Sequence, residues 1–548
     1  MTEKRPVFLR KATGLVRAWT WWDAFWYNMT GPMAMTIGAA TYLWCFMFVG
    51  QPILGLIFAG LLSCIMVVVY TILVTTIPRA GGDYTFLTRV LGGGVGWVAT
   101  MGSALLSGGL WGSLNGIYIS GIVMSPMLFM LSYVTKNPRL LEAAVWWNSL
   151  TGWIVGAILG NIWCVFLMIV GMRWYRKLQR WSFYIGTVCL VVVIGILLTS
   201  THAQFVANFN NVMATTFNMP NAYDAIWNKA IEGGFKDMPV YGVSFADSWR
   251  QVPDSFLYLA PLMMFMMIYS MIASSLYGEI KDATSTRRVL GAGLLGIVYN
   301  VAISGILMAL TYNLVGYEWY SAACYLYGMG DQFVPFFPYV TLFGACATNN
   351  PVLMVFVPMC FHFLLWMWLV NTWPLATRIL LANAFDRGLP SWVGKVWGRT
   401  HAPVGATLLM IIATAVIFVL YWWVPGFSSV TLATGIGFYI TTGLAGVACA
   451  LLPYLKRTKE IYKASPTASW KLGGVPVATI AGIAWAVFML YLIVLYSIDP
   501  RYGMTSPTSQ AFIVAFYVGA IICYLIMKKI RARQGIDLGS TYAEIPYE

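Results

Sequence analysis

The sequence predicts an all-α polytopic membrane protein with twelve transmembrane helices. Of its 548 residues, 59% are hydrophobic and only 9% are charged. A soluble domain has about 45–50% apolar and about 25% charged residues. Apolar stretches recur along the whole chain, each long enough to cross the roughly 30 Å hydrocarbon core of a bilayer as a helix. The composition therefore excludes a soluble globular fold.

The twelve predicted spans follow one another along the chain, and only one connection is long, from 202 to 253. In the eighth window, Asn349, Asn350 and Pro351 are expected to separate a surface segment from the span itself. The approximate bounds are 21–50, 51–77, 95–129, 152–172, 183–201, 256–278, 289–314, 336–381, 404–424, 430–455, 475–498 and 511–527.

Basic residues indicate the orientation. With a cytoplasmic N-terminus, 27 of the 33 lysines and arginines fall in cytoplasmic segments. Such a bias marks the cytoplasmic side, and an even number of spans then places both termini there. The net charge of +14 is scattered over loops, so it reports topology rather than a nucleic-acid surface. We expect a multi-pass protein of the cell membrane, without a cleaved signal peptide and with no nucleic-acid partner.

The nine cysteines lie almost entirely within apolar spans. They form no CxxC motif and no Cys/His cluster, so we expect packed thiols, no metal site and no cofactor.

The first span contains an interruption signal. Asn28, Thr30, Gly31 and Pro32 lie in the middle of an otherwise apolar stretch. In hydrocarbon, each backbone group that such a break frees needs a partner from protein, ligand or water. The alternative is a proline kink without a ligand.

The loop after the second span reads Pro-Arg-Ala-Gly-Gly-Asp-Tyr from residue 78. It resembles the signature of the amino acid–polyamine–organocation superfamily, in which Pro-Arg-Ala-Gly-Gly-x-Tyr is followed by a basic residue. The glycines permit a tight turn, and Arg79 and Arg89 are expected to bind helix C-terminal carbonyls. The signature residues are Pro78, Arg79, Gly81, Gly82 and Tyr84.

Two later stretches resemble the same family. Glu279-Ile-Lys-Asp resembles the exit of its sixth helix, although Ala283 replaces the usual proline. Arg378, Asp386 and Gly388 belong to a stretch similar to its cytoplasmic segment after helix 8.

The resemblance implies a five-plus-five inverted repeat with discontinuous helices 1 and 6, plus two peripheral helices. The sixth break is expected near Tyr269 and Ser270, although no Gly or Pro marks it. The corresponding division is a cytoplasmic tail (1–18), a first repeat (19–201), an extracellular loop (202–255), a second repeat (256–455), helices 11 and 12 (456–527) and a cytoplasmic tail (528–548).

The resemblance also implies a substrate site between the middles of spans one and six, where helix N–H groups meet a carboxylate and carbonyls meet an ammonium group. Tyr118, Trp366 and Trp368 are candidates for an apolar wall, and Asn115 for a pathway. The substrate-binding candidates are Asn28, Thr30, Gly31, Pro32, Met33, Tyr118, Tyr269 and Ser270.

The coupling ion is left open between a proton and Na⁺. His362 is placed to carry a proton or contact substrate, or else to be a buried neutral histidine. Sodium would need oxygen ligands, for which Asn371 and Thr372 are candidates. The fifth span has no lysine, so the coupling lysine of some relatives is not supported.

These features together predict a secondary active transporter for neutral or apolar amino acids rather than an enzyme. We expect this transporter to work by alternating access in the lipid bilayer, and we expect an ion gradient to drive it. The main alternative is a transporter of polyamines or other amines, although no acid is available near the midplane. A channel and an intramembrane enzyme are less favoured, because no filter motif and no catalytic cluster is visible.

Overall fold

The computed structural model describes residues 17–36, 44–330, 333, 335–424, 427 and 434–543, and it leaves out the side chains of 31–36 and 434. The described chain is mostly helical. Its first half contains α1 (Trp21–Thr36), α2 (Pro52–Thr76), α3 (Asp83–Val90), α4 (Gly93–Thr135), α5 (Pro138–Trp147), α6 (Leu150–Val170), α7 (Met172–Thr199), α8 (His202–Phe217) and α9 (Ala222–Glu232).

The second half continues this all-helical pattern, with one small hairpin in which Lys471 pairs with Pro476 and Leu472 with Val475. Its elements are α10 (Val252–Leu276), α11 (Thr286–Val315), α12 (Tyr317–Gly328), α13 (Val340–Cys346), α14 (Pro351–Leu369), α15 (Thr372–Phe385), α16 (Val404–Trp423), α17 (Thr434–Leu451), α18 (Lys459–Lys463), β1 (Lys471–Leu472), β2 (Val475–Pro476), α19 (Val477–Ile498), α20 (Pro507–Arg533) and α21 (Leu538–Ala543).

Ten helices of the described chain are long and apolar enough to cross a membrane: α2, α4, α6, α7, α10, α11, the α14–α15 pair, α16, α19 and α20. This confirms the prediction of a polytopic helical membrane protein. The two other predicted spans fall on α1 and α17, which are shorter in the described chain. The count of twelve therefore stays a prediction.

The first helix differs from its prediction. It runs as one α-helix from Trp21 to Thr36 and passes through Gly31 and Pro32 without a break. A proline inside a helix removes the N–H that would reach the carbonyl four residues earlier, here that of Asn28, and its ring crowds that carbonyl, so it favours a kink or a break. The helix nevertheless continues past Pro32, and the predicted interruption at Asn28–Pro32 is wrong for the described residues. Residues 37–43 lie outside the description.

The helix α10, which corresponds to the sixth predicted span, leaves α-helical geometry in its second half. Its α-helical part ends at Met267 and a 3-10 segment follows from Ile268 to Leu276. Within that segment Met271 leaves helical geometry, with φ −125° and ψ 27°. The irregularity lies where the sixth break was expected, at Tyr269 and Ser270. No glycine or proline is needed because tertiary contacts hold the backbone there.

The eighth window is divided twice. Asn350 caps α14 by accepting from the N–H groups of Val352 and Leu353, which separates the short α13 from the span as predicted. A second division lies between the end of α14 at Leu369 and the start of α15 at Thr372. Asn371 and Thr372 therefore stand at a helix junction inside the bundle.

The long connection between α7 and α10 is largely helical. It contains α8 and α9, and it packs against α12 through Tyr223 and Trp319, whose parallel rings lie 4.4 Å apart. In the centre of the bundle, α1 packs against α7, α10, α11 and α14. The α10 span is the most buried of the ten.

Candidate functional site

Asn28 ties α1 to the irregular part of α10. Its side-chain oxygen accepts a hydrogen bond from the backbone N–H of Ala273 at 2.9 Å, and its amide nitrogen lies 3.8 Å from the sulfur of Met271. The first contact lies two residues after the point where α10 leaves helical geometry, and the second is with Met271, the residue at that point. Asn28, a predicted substrate ligand, therefore uses its polar atoms to hold the backbone of α10.

Tyr27 ties α1 to the junction between α14 and α15. Its hydroxyl donates to the carbonyl of Asn371 at 2.5 Å, and the side-chain amide of Asn371 donates back to the carbonyl of Tyr27 at 3.4 Å. Both residues are buried. This reciprocal pair leaves the side-chain oxygen of Asn371 without a partner in the described structure.

A narrow cavity lies where α4, α10 and the α14–α15 junction meet. The empty volume of the cavity is about 250 Å³. The cavity is so narrow that only about 10 Å³ of this volume is open to a water molecule. This is close to the space that one water needs. In this conformation the cavity is therefore too small to hold an amino acid. The described residues that line it, all buried, are Trp111, Asn115, Tyr269, Trp368, Leu369, Asn371 and Thr372.

Polar atoms without partners converge on this cavity. They are both side-chain amide atoms of Asn115, the side-chain oxygen of Asn371 and the hydroxyl of Thr372. Buried polar groups are normally paired with protein, water or ligand, because leaving them unpaired is costly. The set offers donors and acceptors together, as a polar or zwitterionic ligand requires.

Aromatic rings form the remaining wall. The indole N–H of Trp111 donates to the hydroxyl of Tyr269 at 2.8 Å. Trp368 packs edge-on against Tyr118 and Trp111, with ring centroids 4.8 Å and 5.6 Å apart. Tyr118 thus supports Trp368 rather than lining the cavity itself. The wall is apolar except for the Trp111–Tyr269 hydrogen bond.

Other predicted substrate residues take different positions. The hydroxyl of Thr30 donates to the carbonyl of Trp26 at 2.6 Å, so it is satisfied within its own helix. Ser270 is buried with an unpartnered hydroxyl in the 3-10 segment, next to Tyr269. The backbone of Gly31, Pro32 and Met33 is helical, and the surroundings of these residues lie outside the description.

His362 is not brought to the cavity. It lies on α14, where its Nδ1 accepts a hydrogen bond from the indole N–H of Trp366 one turn away, at 3.3 Å. Trp366 in turn packs edge-on against Trp163 of α6, with ring centroids 6.1 Å apart. The expected aromatic wall therefore includes Trp368 but not Trp366. Of the candidate ion ligands, the structure places Asn371 and Thr372 at the cavity.

The signature residues form ion pairs at one end of the bundle, which we call the signature end. Arg378 of α15 donates to both carboxylate oxygens of Glu279, at 2.7 Å and 3.3 Å, and both side chains are buried. Arg89 of α3 likewise donates to both oxygens of Asp386, at 2.5 Å and 2.9 Å. Arg89 therefore binds the carboxylate of Asp386, because α3 lies against the turn that carries this residue.

The glycine pair of the first signature permits a close approach. Gly82 has φ +44°, and a Cβ there would lie 2.8 Å from the backbone nitrogen of Ser275. The N–H of Gly81 donates to the carbonyl of Ser275 at 3.0 Å. The loop thus closes directly on the end of α10, as the predicted tight turn requires.

The other signature residues lie in the same end. The guanidinium of Arg79 donates to the carbonyl of Pro78 at 3.2 Å, and Tyr84 is fully buried. The carbonyl of Gly388 accepts a hydrogen bond from the indole N–H of Trp97 at 3.2 Å.

Asp83 is a buried acid at the signature end. Its carboxylate accepts a hydrogen bond from the hydroxyl of Tyr70 at 2.7 Å. Burial raises the pKa of Asp83 to about 7, although the bond from Tyr70 opposes this shift. The carboxyl group therefore changes charge near neutral pH.

The opposite end of the bundle is also held by hydrogen bonds. The hydroxyl of Tyr317 on α12 donates to the carbonyl of Gly50 at 3.1 Å, and the hydroxyl of Ser255 accepts from the N–H of Gln51 at 2.9 Å. The connection that leads into α2 is thereby fixed to α10 and α12. Hydrogen bonds between helices therefore hold both ends of the bundle, on either side of the narrow cavity.

Sequence reasoning missed two residues of this site. Trp111 and Tyr27 look like ordinary aromatic residues in apolar spans, and no local pattern distinguishes them. By contrast, Asn115 is visible as an isolated amide in an apolar stretch. An isolated amide side chain in an apolar span was therefore the sequence feature that could identify a residue of the cavity.

A comparison with known families gives one match. The family model described as amino acid permease matches residues 20–523, which is nearly the whole chain. No curated protein matches the chain. The family match confirms the resemblance that the two cytoplasmic signatures indicated.

Proposed function

Because the chain belongs to the amino acid permease family, we propose that it is a secondary active transporter of neutral, mainly apolar amino acids. An ion gradient drives the movement of these amino acids across the cell membrane. The family supports membrane transport of amino acids, and the residues that line the cavity support the choice of substrate.

The main support for this proposal is the set of unpartnered polar atoms at the narrow cavity. The amide of Asn115 and the hydroxyl of Thr372 can donate to a carboxylate, and the side-chain oxygen of Asn371 can accept from an ammonium group. Every α-amino acid carries both groups. A bound amino acid would thus satisfy atoms that the protein itself leaves unpaired.

The lining favours an uncharged side chain. None of the seven described lining residues is acidic or basic, and three of them are aromatic. A cationic side chain would be desolvated there without a counter-charge. This argues for neutral amino acids over polyamines, which would need at least one acid.

The narrowness of the cavity supports alternating access as the mechanism. The cavity has room for about one water, so a substrate must enter through a more open conformation. The junctions that must rearrange are the contacts of α1 with α10 and with the α14–α15 junction. In this scheme α1 and α10 are equivalent helices of the two inverted repeats, residues 19–201 and 256–455, and both termini are cytoplasmic.

The ion is proposed to bind beside the substrate. Asn371 and Thr372 supply oxygen atoms at the helix junction, and oxygen ligands suit Na⁺. Proton coupling would instead need a group such as a carboxylate or an imidazole at the cavity, and the described lining residues include no Asp, Glu, His, Lys or Arg. Sodium is therefore the favoured ion.

Uptake into proteoliposomes tests the proposal. We expect a labelled neutral amino acid to accumulate above its bath concentration under an imposed sodium gradient, and no accumulation without the gradient. Equilibration without accumulation would indicate a channel. Stabilisation by polyamines but not by amino acids in a thermal-shift screen would favour the amine transporter, because a ligand raises the stability of the state it binds.

A further inference from the structure

The last part of the chain packs on the signature end. We call residues 531–543 the C-terminal segment; it runs from the last turn of α20 through the short helix α21. Asp537 caps α21 by accepting hydrogen bonds from two backbone N–H groups, at 2.9 Å and 3.1 Å. Leu538 and Tyr542, one turn apart on α21, are only 1% and 3% exposed. The segment is therefore docked on the protein through its apolar side chains.

Tyr542 packs where the chain has no side chains of its own. Three consecutive glycines, residues 92–94, lead into α4. A Cβ on Gly93 would lie 1.9 Å from the ring of Tyr542, and one on Gly94 would lie 3.2 Å from the ring of Tyr524 on α20. Any residue larger than glycine at position 93 would therefore displace the ring of Tyr542.

The ring of Tyr542 also contacts one member of a buried ion pair. The guanidinium carbon of Arg89 lies 5.9 Å from the centroid of this ring, which is within the range of a cation–π contact. Arg89 is 4% exposed and its partner Asp386 is 2% exposed. Such a contact is stronger where water is excluded. The ring therefore stabilises Arg89 in the position from which it binds Asp386.

Arg531, at the start of the C-terminal segment, holds the other side of this ion pair. Its guanidinium donates to the carbonyls of Arg387 and Leu389, both at 2.8 Å. These carbonyls belong to the turn that follows Asp386. Since α3 and α4 come from the first half of the chain and this turn from the second, the segment joins the two halves at the signature end.

Two contacts close the halves on each other at this end. One is the Arg89–Asp386 pair, and the other is the glycine turn that donates from Gly81 to the carbonyl of Ser275. A conformation that is open at the signature end must separate both. The C-terminal segment lies across the first of them, so it favours the arrangement in which this end is closed.

We propose that Tyr542 is a positioning residue of the transport cycle, which holds Arg89 against Asp386 and thereby keeps the signature end closed. This inference rests on the alternating access proposed above and adds the C-terminal segment as its regulator. Displacing the ring of Tyr542 raises the fraction of the protein that is open at this end, because the closed state loses a contact that the open state does not make.

Thiol labelling of the full-length protein in nanodiscs tests the proposal. The reporter is Ser275→Cys, because Ser275 is fully buried beneath the glycine turn and is uncovered when this end opens. The probe is a charged, membrane-impermeant maleimide, and mass spectrometry quantifies the peptide that carries residue 275. Tyr542→Ala should raise the labelling rate about tenfold, the effect of one desolvated cation–π contact. Tyr542→Phe keeps the ring and should label at the rate of the reporter protein.

Gly93→Ala tests the same contact from the opposite side. Its methyl group displaces the ring without changing the C-terminal segment, so the labelling rate should rise to a similar extent. The double variant with Tyr542→Ala should label no faster than either single variant, because both changes remove one contact. Gly519→Ala, on α20 where nothing lies within 4 Å of the added carbon, is the matched control and should leave the rate unchanged.

A second reporter separates opening from general loosening of the fold. Ser321→Cys lies on α12 at the opposite end and is 4% exposed, and its labelling should not rise in Tyr542→Ala. An unchanged rate at residue 275 in Tyr542→Ala, an equal rise at both reporters, or a Tyr542→Phe variant that labels like Tyr542→Ala would each overturn the proposal.

If Tyr542→Ala fails to elute as a single species in gel filtration, Gly93→Ala decides on the same outcomes. The labelling needs no substrate and no ion gradient. A failure of this test is therefore distinct from a failure of the uptake assay, which would contradict the proposed function itself.

Discussion

Arg378 and Glu279 lie 99 residues apart in the sequence and form a two-bond ion pair inside the signature end, with 0% and 3% of their side chains exposed. The pair joins the exit of α10 to the middle of α15. These two helices supply Tyr269 and Thr372 to the central cavity. The pair therefore fixes the distance between two walls of the proposed substrate site.

Arg378→Met should lower the free energy of unfolding by about 3–5 kcal/mol, because it leaves the Glu279 carboxylate buried without its counter-charge. The double variant Glu279→Met/Arg378→Met should regain most of this loss. Chemical denaturation in detergent micelles measures both. Lys463→Met is the control, because its pair with Glu460 is exposed and such pairs contribute about 0–1 kcal/mol. If Arg378→Met and Lys463→Met lowered the free energy of unfolding equally, this result would contradict the stabilising role assigned to the Arg378–Glu279 pair.

Asp83 should make stability depend on pH. In the folded protein its pKa is about 7, whereas its ordinary value is 3.8, so the folded state holds more protons between these values. The free energy of unfolding should therefore fall as pH rises from about 4 to about 7, and level off above this range.

Asp83→Asn keeps an acceptor for Tyr70 and cannot ionise. It should abolish this slope and exceed the unmodified protein in stability at pH 8, by up to about 4 kcal/mol. Denaturation midpoints at several pH values measure the slope. Asp247→Asn, at an exposed position, should leave the slope unchanged. A slope that persists in Asp83→Asn would exclude this carboxyl as its source.

Thr372→Val should weaken substrate binding about tenfold, because it removes one hydrogen-bonding group from the cavity and keeps the side-chain shape. Isothermal binding or competition against labelled substrate measures this. Thr442→Val is a suitable control, since that hydroxyl is occupied by the carbonyl of Phe438 at 2.9 Å. An equal loss of affinity in both variants would point to a general packing effect.

His362→Gln should retain both uptake and its pH dependence. The imidazole is paired with Trp366 and is not among the residues that line the cavity. Initial uptake rates across a pH series provide the measurement. A flattened pH profile in this variant would restore His362 as a proton carrier.

Gly82→Ala should destabilise the protein by about 1–3 kcal/mol or more, because its backbone angles are unfavourable for other residues and the new methyl group would meet the backbone of Ser275. Gly195→Ala is the control near the C-terminal end of α7, where nothing lies within 4 Å of the added carbon. That control should be neutral or slightly stabilising. Thermal melting of both variants compares them, and similar melting temperatures would refute the tight-turn argument.

The sequence by itself determined the class of the protein and its family. Hydropathy reports burial in lipid directly, since each span must satisfy its own backbone within a helix. The two signatures are local strings, so they could be recognised without any contact being known. Isolated polar residues such as Asn115, Asn371 and Thr372 were visible for the same reason.

Only the tertiary structure decided which of these residues meet. Glycine and proline favoured a break in the first helix, but α1 passes through them, while the 3-10 segment of α10, Ile268–Leu276, contains neither residue. The reason is that the irregular backbone is held from outside, by Asn28 on Ala273 and by the neighbouring helices. The partner of Arg89, the unpaired oxygen of Asn371 and the separation of His362 from the cavity likewise depend on contacts between residues far apart in the chain. Local sequence patterns carry no information about such distances.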